Sequence, residues 1–513
     1  MQFIPVALLL LAFGLCAVRQ MHFFQLNSYK FAEHKVWLKR NAFDLIILAA
    51  LSLISLVALA FKPLGTVIFL SAVIAVYALL SIPKSKKKSK KPLVYTPRVI
   101  RMLIAEAIIF IFILVPLYFF IPVPIIASVI LLIAPYACLV ANLTNAPIEK
   151  AIRNSFTKEA ISMLRSHPDL RVVGITGSYG KTSTKYYLST ILSERFDVLM
   201  TPGSFNTPMG VVRTVREQLR PTHQVFICEM GAKYVGDIKE LCEIAEPEIG
   251  IISSIGAQHL ETFGSLENIV STKLELYDYL RQKGGVSVLN GDCALIKDNV
   301  AAGDGVILYG ENGDLKISSV SADCKGTSFT VSYKDLEPFT MSVSLLGAHN
   351  VSNLAGAIAV AIELGMTPDE IKRAARKIKC APHRLEIKQA GKDVIIDDAY
   401  NANPAGTKAA LAALSLFEGY CKIIVTPGMV ELGADSDSFN KALGADAAKV
   451  ADYIFLVGSY GSDIIRSGAA EAGYPEEKIF IYSKVEDAIN AARAIPSQLP
   501  RVILLENDLP DNY

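Results

Sequence analysis

The residues with the clearest chemical potential form a glycine-rich segment, residues 172–183. Its apolar first half predicts a buried strand, and residues 184–194 are compatible with a following helix. The side chains and glycines between them that could meet a ligand are Gly177, Ser178, Gly180, Lys181, Thr182 and Ser183. Backbone N–H groups of such a loop can surround a phosphate, while Lys181 meets the outer phosphates and the Thr182 hydroxyl ligates Mg²⁺.

The spacing differs from the commonest phosphate-loop pattern, because only two residues separate Gly177 from Gly180. The structural alternative is an ordinary glycine-rich turn between a strand and a helix. A Lys-Thr pair directly after the last glycine, behind an apolar strand, favours a nucleoside-triphosphate site.

Two more polar side chains follow predicted strands at residues 225–228 and 250–253: Glu229 and His259. Ligands of parallel α/β sheets bind beyond the carboxyl ends of the strands, so we expect both residues beside Thr182. A carboxylate, an imidazole and a hydroxyl there form a plausible Mg²⁺ shell. Each signal is weak alone, since a single His is more often structural, but their matching positions favour a metal site.

The elements that must position these residues are those of an α/β protein. From residue 171 to about 379, short apolar runs alternate with amphipathic helical stretches, which predicts a mostly parallel sheet with covering helices. After residue 384, further strands are predicted in a Rossmann-like C-terminal domain. They cover residues 393–396, 422–425, 453–457, 478–481 and 502–505.

The first 145 residues are of a different kind, dominated by Leu, Ile, Val, Ala and Phe. Five apolar runs there predict membrane spans: residues 3–18, 45–61, 64–82, 102–121 and 123–143. The first run ends at Arg19 without a basic segment before it, so it reads as a retained span and not a cleaved signal. Glu106, one turn into the fourth span, can be solvated near an interface, so a transport role is not favoured for it.

Charge in the loops predicts the orientation. Basic residues crowd the loops between spans one and two and between spans three and four, so both loops are expected in the cytoplasm. An odd number of spans then places the N-terminus outside and the α/β part in the cytoplasm. The predicted domains are a five-span transmembrane region (1–144), a connector (145–169), an ATP-binding central domain (170–384) and the C-terminal domain (385–513).

The overall composition argues against several classes of protein. The formal net charge of +2 over 513 residues indicates no nucleic-acid partner. The eight cysteines lack C-x-x-C pairs, which argues against a disulfide framework or a zinc ribbon. The lysine-rich loop at residues 84–91 could also contact anionic lipids, so membrane lipids are expected partners.

Six motifs occur in the order found in the Mur ligases, and the chain resembles that family, most closely its D-alanyl-D-alanine-adding branch. They are GSYGKTS at 177–183, EMGA at 229–232, HLE at 259–261, GAHNVSN at 347–353, HRLE at 383–386 and DDAYNANP at 397–404. The resemblance implies a P-loop central domain and an ATP-dependent, ADP-forming ligase that joins a carboxylate to an amine through an acyl phosphate. Its implied cofactors are ATP and Mg²⁺.

The resemblance also implies roles for single residues. Thr182 and Glu229 would hold one Mg²⁺ and His259 a second, and Lys181 would act on the phosphates. Lys273 matches a lysine that the family carbamylates to obtain an anionic metal ligand, although by itself it would read as a solvated helix lysine. The remaining implied site residues are Asn206 and Thr207 near the acceptor chemistry, Asn350 and Asn353 near the nucleotide, and Arg384 and Asp398 reaching it from the last domain.

Two departures from the family pattern concern the substrate. The Lys/Ser/Arg-type segment near the final strand is replaced by Leu505-Glu506-Asn507, and membrane spans stand in place of the uridine-binding domain. The expected partners are therefore a lipid-linked or nucleotide-linked cell-wall precursor and an amino acid or dipeptide. The alternatives are a ligase of another amide-linked polymer, such as a γ-glutamyl chain, and a catalytically idle ATP-binding scaffold of a membrane assembly.

Overall fold

The computed structural model describes residues 3–507, apart from residues 28, 41, 82–91, 257, 259, 401, 431, 433–434 and 459–460. The chain forms two compact units, Met1–Ser155 and Phe156–Tyr513. This division falls inside the predicted connector, while the predicted boundaries of the four domains stay predictions.

The first unit contains helices and no strand among its described residues. Its helices are α1 (Phe3–Leu26), α2 (Phe31–Arg40), α3 (Ala42–Ile54), α4 (Pro63–Ser81), α5 (Pro97–Phe120) and α6 (Val123–Ile133), and α7 (Ala137–Arg165) contains the boundary. Short 3₁₀ segments, Ser55–Ala60 and Ala134–Tyr136, follow α3 and α6. Proline opens α4 and α5, a position where its missing N–H leaves no helical bond unmade.

Three helical stretches among the described residues are long and apolar enough to cross a membrane: Val6–Leu26, Pro63–Ser81 and Val123–Arg165. Leu45–Ala60 is a shorter apolar helix. The predicted fourth span lies in α5, where the side chains at 114–118 are outside the described set. The number of five spans and their orientation therefore stay predictions.

The structure corrects three details of the predicted spans. The first apolar run does not end its helix at Arg19, because α1 continues to Leu26 and the buried Arg19 guanidinium donates from Nη1 to the Leu80 carbonyl at 2.9 Å. Glu106 is not solvated either, since only 2% of it is exposed. The fifth predicted span is interrupted by a 3₁₀ turn at Pro135, which cannot donate a backbone hydrogen bond.

The second unit begins with a nine-stranded sheet. Its strands are β1 (Arg171–Thr176), β2 (Val198–Met200), β3 (Val225–Glu229), β4 (Ile249–Ile252), β5 (Val286–Asn290), β6 (Val306–Gly310), β7 (Leu315–Asp323), β8 (Gly326–Tyr333) and β9 (Leu336–Val343). The spatial order is β2-β3-β1-β4-β5-β6-β7-β8-β9. Strands up to β7 pair in parallel, and β7, β8 and β9 form an antiparallel meander that the sequence pattern did not indicate.

Helices cover both faces of this sheet, as the buried strands require. They are α8 (Lys181–Leu192), α9 (Pro208–Gln218), α10 (Asp237–Ala245), α11 (Leu260–Phe263), α12 (Leu266–Lys283), α13 (Ala294–Lys297), α14 (Ala348–Glu363) and α15 (Pro368–Ala375). α8 and α14 belong to the apolar core on one face, and α10 and α12 to that on the other. Because β1, β3 and β4 are adjacent and parallel, their carboxyl ends meet at one edge.

A six-stranded sheet follows. Its strands are β10 (Glu386–Ala390), β11 (Asp393–Asp398), β12 (Cys421–Thr426), β13 (Tyr453–Val457), β14 (Ile479–Tyr482) and β15 (Arg501–Glu506), in the order β10-β11-β15-β12-β13-β14. Only β10, at the edge, is antiparallel to its neighbour. The helices of this part are α16 (Pro404–Ser415), α17 (Ser436–Val450), α18 (Ser462–Glu471) and α19 (Val485–Ala494).

Candidate nucleotide and metal site

The phosphate loop connects β1 to α8 and is shaped by its two glycines. Gly177 has φ +149° and Gly180 has φ +82°, both in the region that favours glycine. A Cβ at Gly177 would collide with Ser253 Oγ, and one at Gly180 with Asn353 Oδ1. The loop is therefore packed too closely for any side chain at these two positions, which suits a backbone cradle for an anion.

Lys181 is folded back over this loop. Its Nζ donates to the carbonyl oxygens of Gly177 at 2.6 Å and of Ser178 at 3.0 Å. Burial lowers the pKa of Lys181 to about 8, a value that includes the opposing effect of Glu229 and a smaller lowering by Arg384. Because its hydrogen bonds within the described part of the chain go to backbone carbonyls, the ammonium can exchange them for phosphate oxygens.

Glu229 ends β3 and is the most heavily contacted carboxylate of the site, with 1% of it exposed. Its Oε1 accepts from Thr182 Oγ1 at 3.0 Å and from Asn206 Nδ2 at 3.1 Å. Octahedral Mg²⁺ at about 2.1 Å from its ligands places neighbouring oxygens about 3 Å apart. The Thr182 and Glu229 oxygens already have that spacing, so this pair fits a magnesium ion.

Lys273 lies in α12, and only 2% of it is exposed. The position of Lys273 in a helix would by itself have indicated a solvated lysine, and the structure shows a buried one. Among the described residues, no carboxylate lies within 4.0 Å of its ammonium. Burial lowers the pKa of Lys273 well below its usual range, and the charge of Lys181 lowers it further. The amine is thus held beside the phosphate loop in an environment that disfavours its charged form.

A cavity of about 550 Å³ joins the loop to the C-terminal sheet. The predicted site residues that line it are Ser178, Gly180, Lys181, Thr182, Ser183, Asn206, Glu229, Asn350, Asn353, Arg384 and Asp398. Gly177, Thr207 and Lys273 are not in its wall, and His259 lies outside the described residues. Sequence motifs from both α/β domains therefore meet at one place.

The last domain contributes through a tight turn at Arg384. His383 and Leu385 on either side have positive φ, +58° and +48°, and Leu385 N–H donates to Asp398 Oδ1 at 3.2 Å. The Arg384 guanidinium lies 4.3 Å from the centre of the Tyr400 ring. Tyr400 lines the cavity, although the sequence analysis assigns it no role; its position in the DDAYNANP motif was the available signal.

Two predicted residues have structural contacts. The Thr207 hydroxyl accepts from Gly210 N–H at 3.3 Å and caps the start of α9, so its catalytic role stays a prediction without support from the cavity. Asn350 accepts from Tyr187 O–H at 2.8 Å and donates to the Leu346 carbonyl at 2.9 Å, which fastens α14 to α8. Asn350 still reaches the cavity wall.

The segment that departs from the family pattern stabilises the loops of the last domain. Glu506 is fully buried and pairs in register with Asp398, and its Oε1 accepts from Thr407 Oγ1 at 2.9 Å. Burial raises the pKa of Glu506 well above its usual range, and Asp398 adds to this. Burial also raises the pKa of Asp398 to about 6, against the opposing charge of Arg384. Asn507 donates to the Gly428 carbonyl at 2.6 Å and accepts from Ala402 N–H at 3.2 Å.

One other group of metal-ligating side chains occurs among the described residues: His383, Glu386 and Asp397. The Lys388 ammonium pairs with both carboxylates of this group. Because a lysine already neutralises it, we do not assign it a cation.

A phosphate loop facing a second α/β domain across one cavity defines a two-domain nucleotide-dependent enzyme. The comparisons with known proteins agree. Residues 175–361 match the Mur ligase middle domain, and residues 383–505 match the family described as "Mur ligase, glutamate ligase domain".

Relatives of known sequence and structure extend this result. The UDP-N-acetylmuramoyl-tripeptide–D-alanyl-D-alanine ligase of Bacillus subtilis is 33% identical over 327 residues, which is 63% of this chain and 70% of that protein. MurF from Acinetobacter baumannii superimposes with a TM-score of 0.63 at 28% identity, over 69% of this chain and 78% of that one. MurF from Thermotoga maritima in complex with ADP gives 0.62 at 27% identity, over 69% and 80%.

The chain belongs to the Mur ligase family. It is an ATP-dependent, ADP-forming amide ligase, and the resemblance drawn from its six motifs is confirmed.

Proposed function

We propose that this chain is a membrane-anchored peptide ligase of peptidoglycan precursor synthesis that activates a substrate carboxylate as an acyl phosphate. The observation that carries the site assignment is the pair of oxygens Thr182 Oγ1 and Glu229 Oε1, which lie 3.0 Å apart. They lie beside a phosphate loop whose two glycines have no room for a side chain. Its relatives of the D-alanyl-D-alanine-adding kind supply the reaction class.

Thr182 and Glu229 would hold the magnesium ion, with His259 at a second one. A magnesium ion at this place would offset the negative charge that develops on the transferring phosphoryl group. The N–H groups of the loop and the Lys181 ammonium bind the triphosphate oxygens. Arg384 and Asp398 approach the same nucleotide from the C-terminal domain and orient it against the loop.

The remaining steps concern the two substrates. The substrate carboxylate attacks the γ-phosphorus of ATP, ADP leaves, and the acyl phosphate then reacts with an amine to give an amide and free phosphate. The Asn206 amide donates to Glu229. Asn206 would therefore meet the amine substrate beside the proposed metal ligand. The two α/β domains exclude water from the reactive acyl phosphate between these steps.

Lys273 is proposed to react with CO₂ and become a carbamate. Its burial without an anionic partner favours an uncharged amine, the form that attacks CO₂, and the product places oxygens where an ammonium would repel a metal ion. Glu229 is the one carboxylate proposed as a metal ligand among the described residues. The carbamate of Lys273 would add a second anionic ligand.

The acyl donor is proposed to be a lipid-linked precursor held at the membrane surface, with an amino acid or dipeptide as the amine. Two features support this: the apolar helices of the first unit, and the match to the Mur ligase middle domain, which begins at residue 175 after those helices. The nucleotide-linked precursor is the competing donor.

The acyl phosphate can be trapped directly. Full-length protein in detergent micelles is incubated with Mg·ATP, the tripeptide precursor and hydroxylamine but without amine substrate. We expect a hydroxamate of the precursor to accumulate together with ADP. ADP release without hydroxamate would contradict the acyl-phosphate mechanism, and no ADP release with any cell-wall donor would favour the γ-glutamyl or scaffold alternative.

A further inference from the structure

A lysine that the predicted site does not include contacts the carboxylate at its centre. Lys185 lies one helical turn after Lys181 in α8 and is completely buried. Its Nζ is 2.9 Å from Glu229 Oε2, and it also donates to the Gly203 carbonyl. Lys185 is not part of the cavity wall, so it meets the carboxylate from behind.

The two oxygens of Glu229 therefore have different partners. Oε1 faces Thr182 and Asn206 on the cavity side, whereas Oε2 faces the Lys185 ammonium. A buried carboxylate without a compensating charge is strongly unfavourable, and Lys185 provides that charge when no metal is bound. The bond to Gly203 also fixes the loop that carries Asn206.

The charge of Glu229 is balanced before any ligand arrives, because Lys185 makes an ion pair with this carboxylate. Lys181 and Arg384 contribute positive charge near the phosphate loop, and Asp398 supplies a second carboxylate on the same cavity wall. A bare divalent cation entering here meets a carboxylate that is already neutralised. A triphosphate brings the negative charge that makes a divalent cation favourable.

We propose that Lys185 is a positioning residue that serves as the resident cation of Glu229 and makes the site accept a divalent metal only together with a polyphosphate. This inference rests on the assignment of Glu229 as a metal ligand. The inference also gives a cause for the order of binding. The metal enters together with the nucleotide, because the Lys185 ammonium already neutralises the Glu229 carboxylate.

The test measures metal binding without turnover. Full-length protein in detergent micelles, free of nucleotide, is titrated with Mn²⁺ alone, and free Mn²⁺ is followed by electron paramagnetic resonance. We expect Lys185→Met to bind Mn²⁺ at least about tenfold more tightly than the unaltered protein, since one buried cation beside the carboxylate is removed. Mn²⁺ should also raise the melting temperature of this variant more than that of the unaltered protein.

Arg501→Met is the matched control. It breaks another largely buried ion pair, Arg501 with Asp393, which spans β15 and β11 near the starts of those strands. This variant should lose stability without any change in Mn²⁺ affinity. Equal or weaker Mn²⁺ binding by Lys185→Met would overturn the proposal and leave Lys185 a structural residue.

Two further variants keep the test decisive if Lys185→Met is unstable. Lys185→Gln retains a donor toward Glu229 without the charge, and we expect the same gain in Mn²⁺ affinity. Lys185→Met combined with Glu229→Gln removes both charges, so it should recover stability and bind no Mn²⁺. If all three fail to fold with and without Mn²⁺, the proposal is wrong. Loss of ligase activity has no bearing on these readouts, so failure of the proposed function is distinguishable.

Discussion

Both units of the chain bury an apolar core, but they differ in the apolar side chains that they expose and in the charged side chains that they bury. In the first unit, large apolar residues such as Phe43, Phe112 and Phe120 are at least 75% exposed, while Arg19 and Glu106 are buried. In the second unit, apolar side chains fill the cores around two sheets, and the polar residues of interest gather at the carboxyl ends of strands. Large exposed apolar side chains in such number are typical of a surface that meets a membrane or a partner, which is consistent with the membrane role proposed for the first unit.

The difference shows where the chemistry resides. Every described residue with a proposed part in phosphate, metal or nucleotide binding belongs to the second unit, and the family matches begin there at residue 175. The first unit offers no comparable set of side chains among its described residues. Its proposed part is to bring a membrane-bound substrate to the chemistry.

The largest expected effect comes from removing the charge at the centre of the catalytic unit. Glu229→Gln should lower Mg²⁺-dependent turnover by about 10²–10³-fold, because the carboxylate oxygen that pairs with Thr182 is lost as an ion ligand. Steady-state ADP release measures this. Far-ultraviolet circular dichroism should be unchanged. Retention of most activity would remove Glu229 from the metal site.

A second expected effect tests the modification of Lys273. Lys273→Ala should abolish most turnover, and a short-chain carboxylic acid should restore part of it by placing a carboxylate where the carbamate would lie. Activity of the unaltered protein should fall when CO₂ and bicarbonate are removed. An active preparation whose Lys273 carries no added mass by intact peptide spectrometry would contradict the proposal.

The smallest effect concerns the acid pair of the last domain. The folded-state pKa of Asp398 is about 6, above the ordinary value of 3.8, so the folded state binds more protons in this interval and stability should decrease as pH rises through it. The loss is at most about 3 kcal/mol, since one pKa unit corresponds to about 1.4 kcal/mol. Asp398→Asn should reduce this slope in urea unfolding measured on both sides of the interval. An unchanged slope would assign it to other groups.

Sequence reasoning succeeded where function depends on the ends of strands. Glu229 and Thr182 were expected together because parallel strands end at one edge, and they are 3.0 Å apart. It missed β2, with only three residues, and the meander from β7 to β9, whose alternating polar residues carry no motif. Lys185 was missed because a helix lysine gives no sign of burial until its partner strand is placed.

The helical unit shows the limits of the same reasoning. Apolar runs predicted where helices lie but not where they end. The helix α1 continues beyond Arg19, whose guanidinium donates to the Leu80 carbonyl, a partner far away in sequence. Likewise, the sequence showed that the segment at Glu506 departs from the family pattern. It did not show that Glu506 is buried and that it and Asn507 form hydrogen bonds with Thr407 and the Gly428 carbonyl.

The comparison of the two units yields one decisive measurement. ADP release is followed for the full chain and for a chain beginning at Phe156, each with a lipid-linked precursor in vesicles and with the soluble nucleotide-linked precursor. We predict that the shortened chain folds, binds ATP and acts poorly on the lipid-linked precursor, and that fusing a single unrelated membrane helix to it does not restore the rate. Full activity of the shortened chain on the nucleotide-linked precursor, equal to that of the full chain on its best donor, would contradict this account and leave the helical unit as a simple anchor.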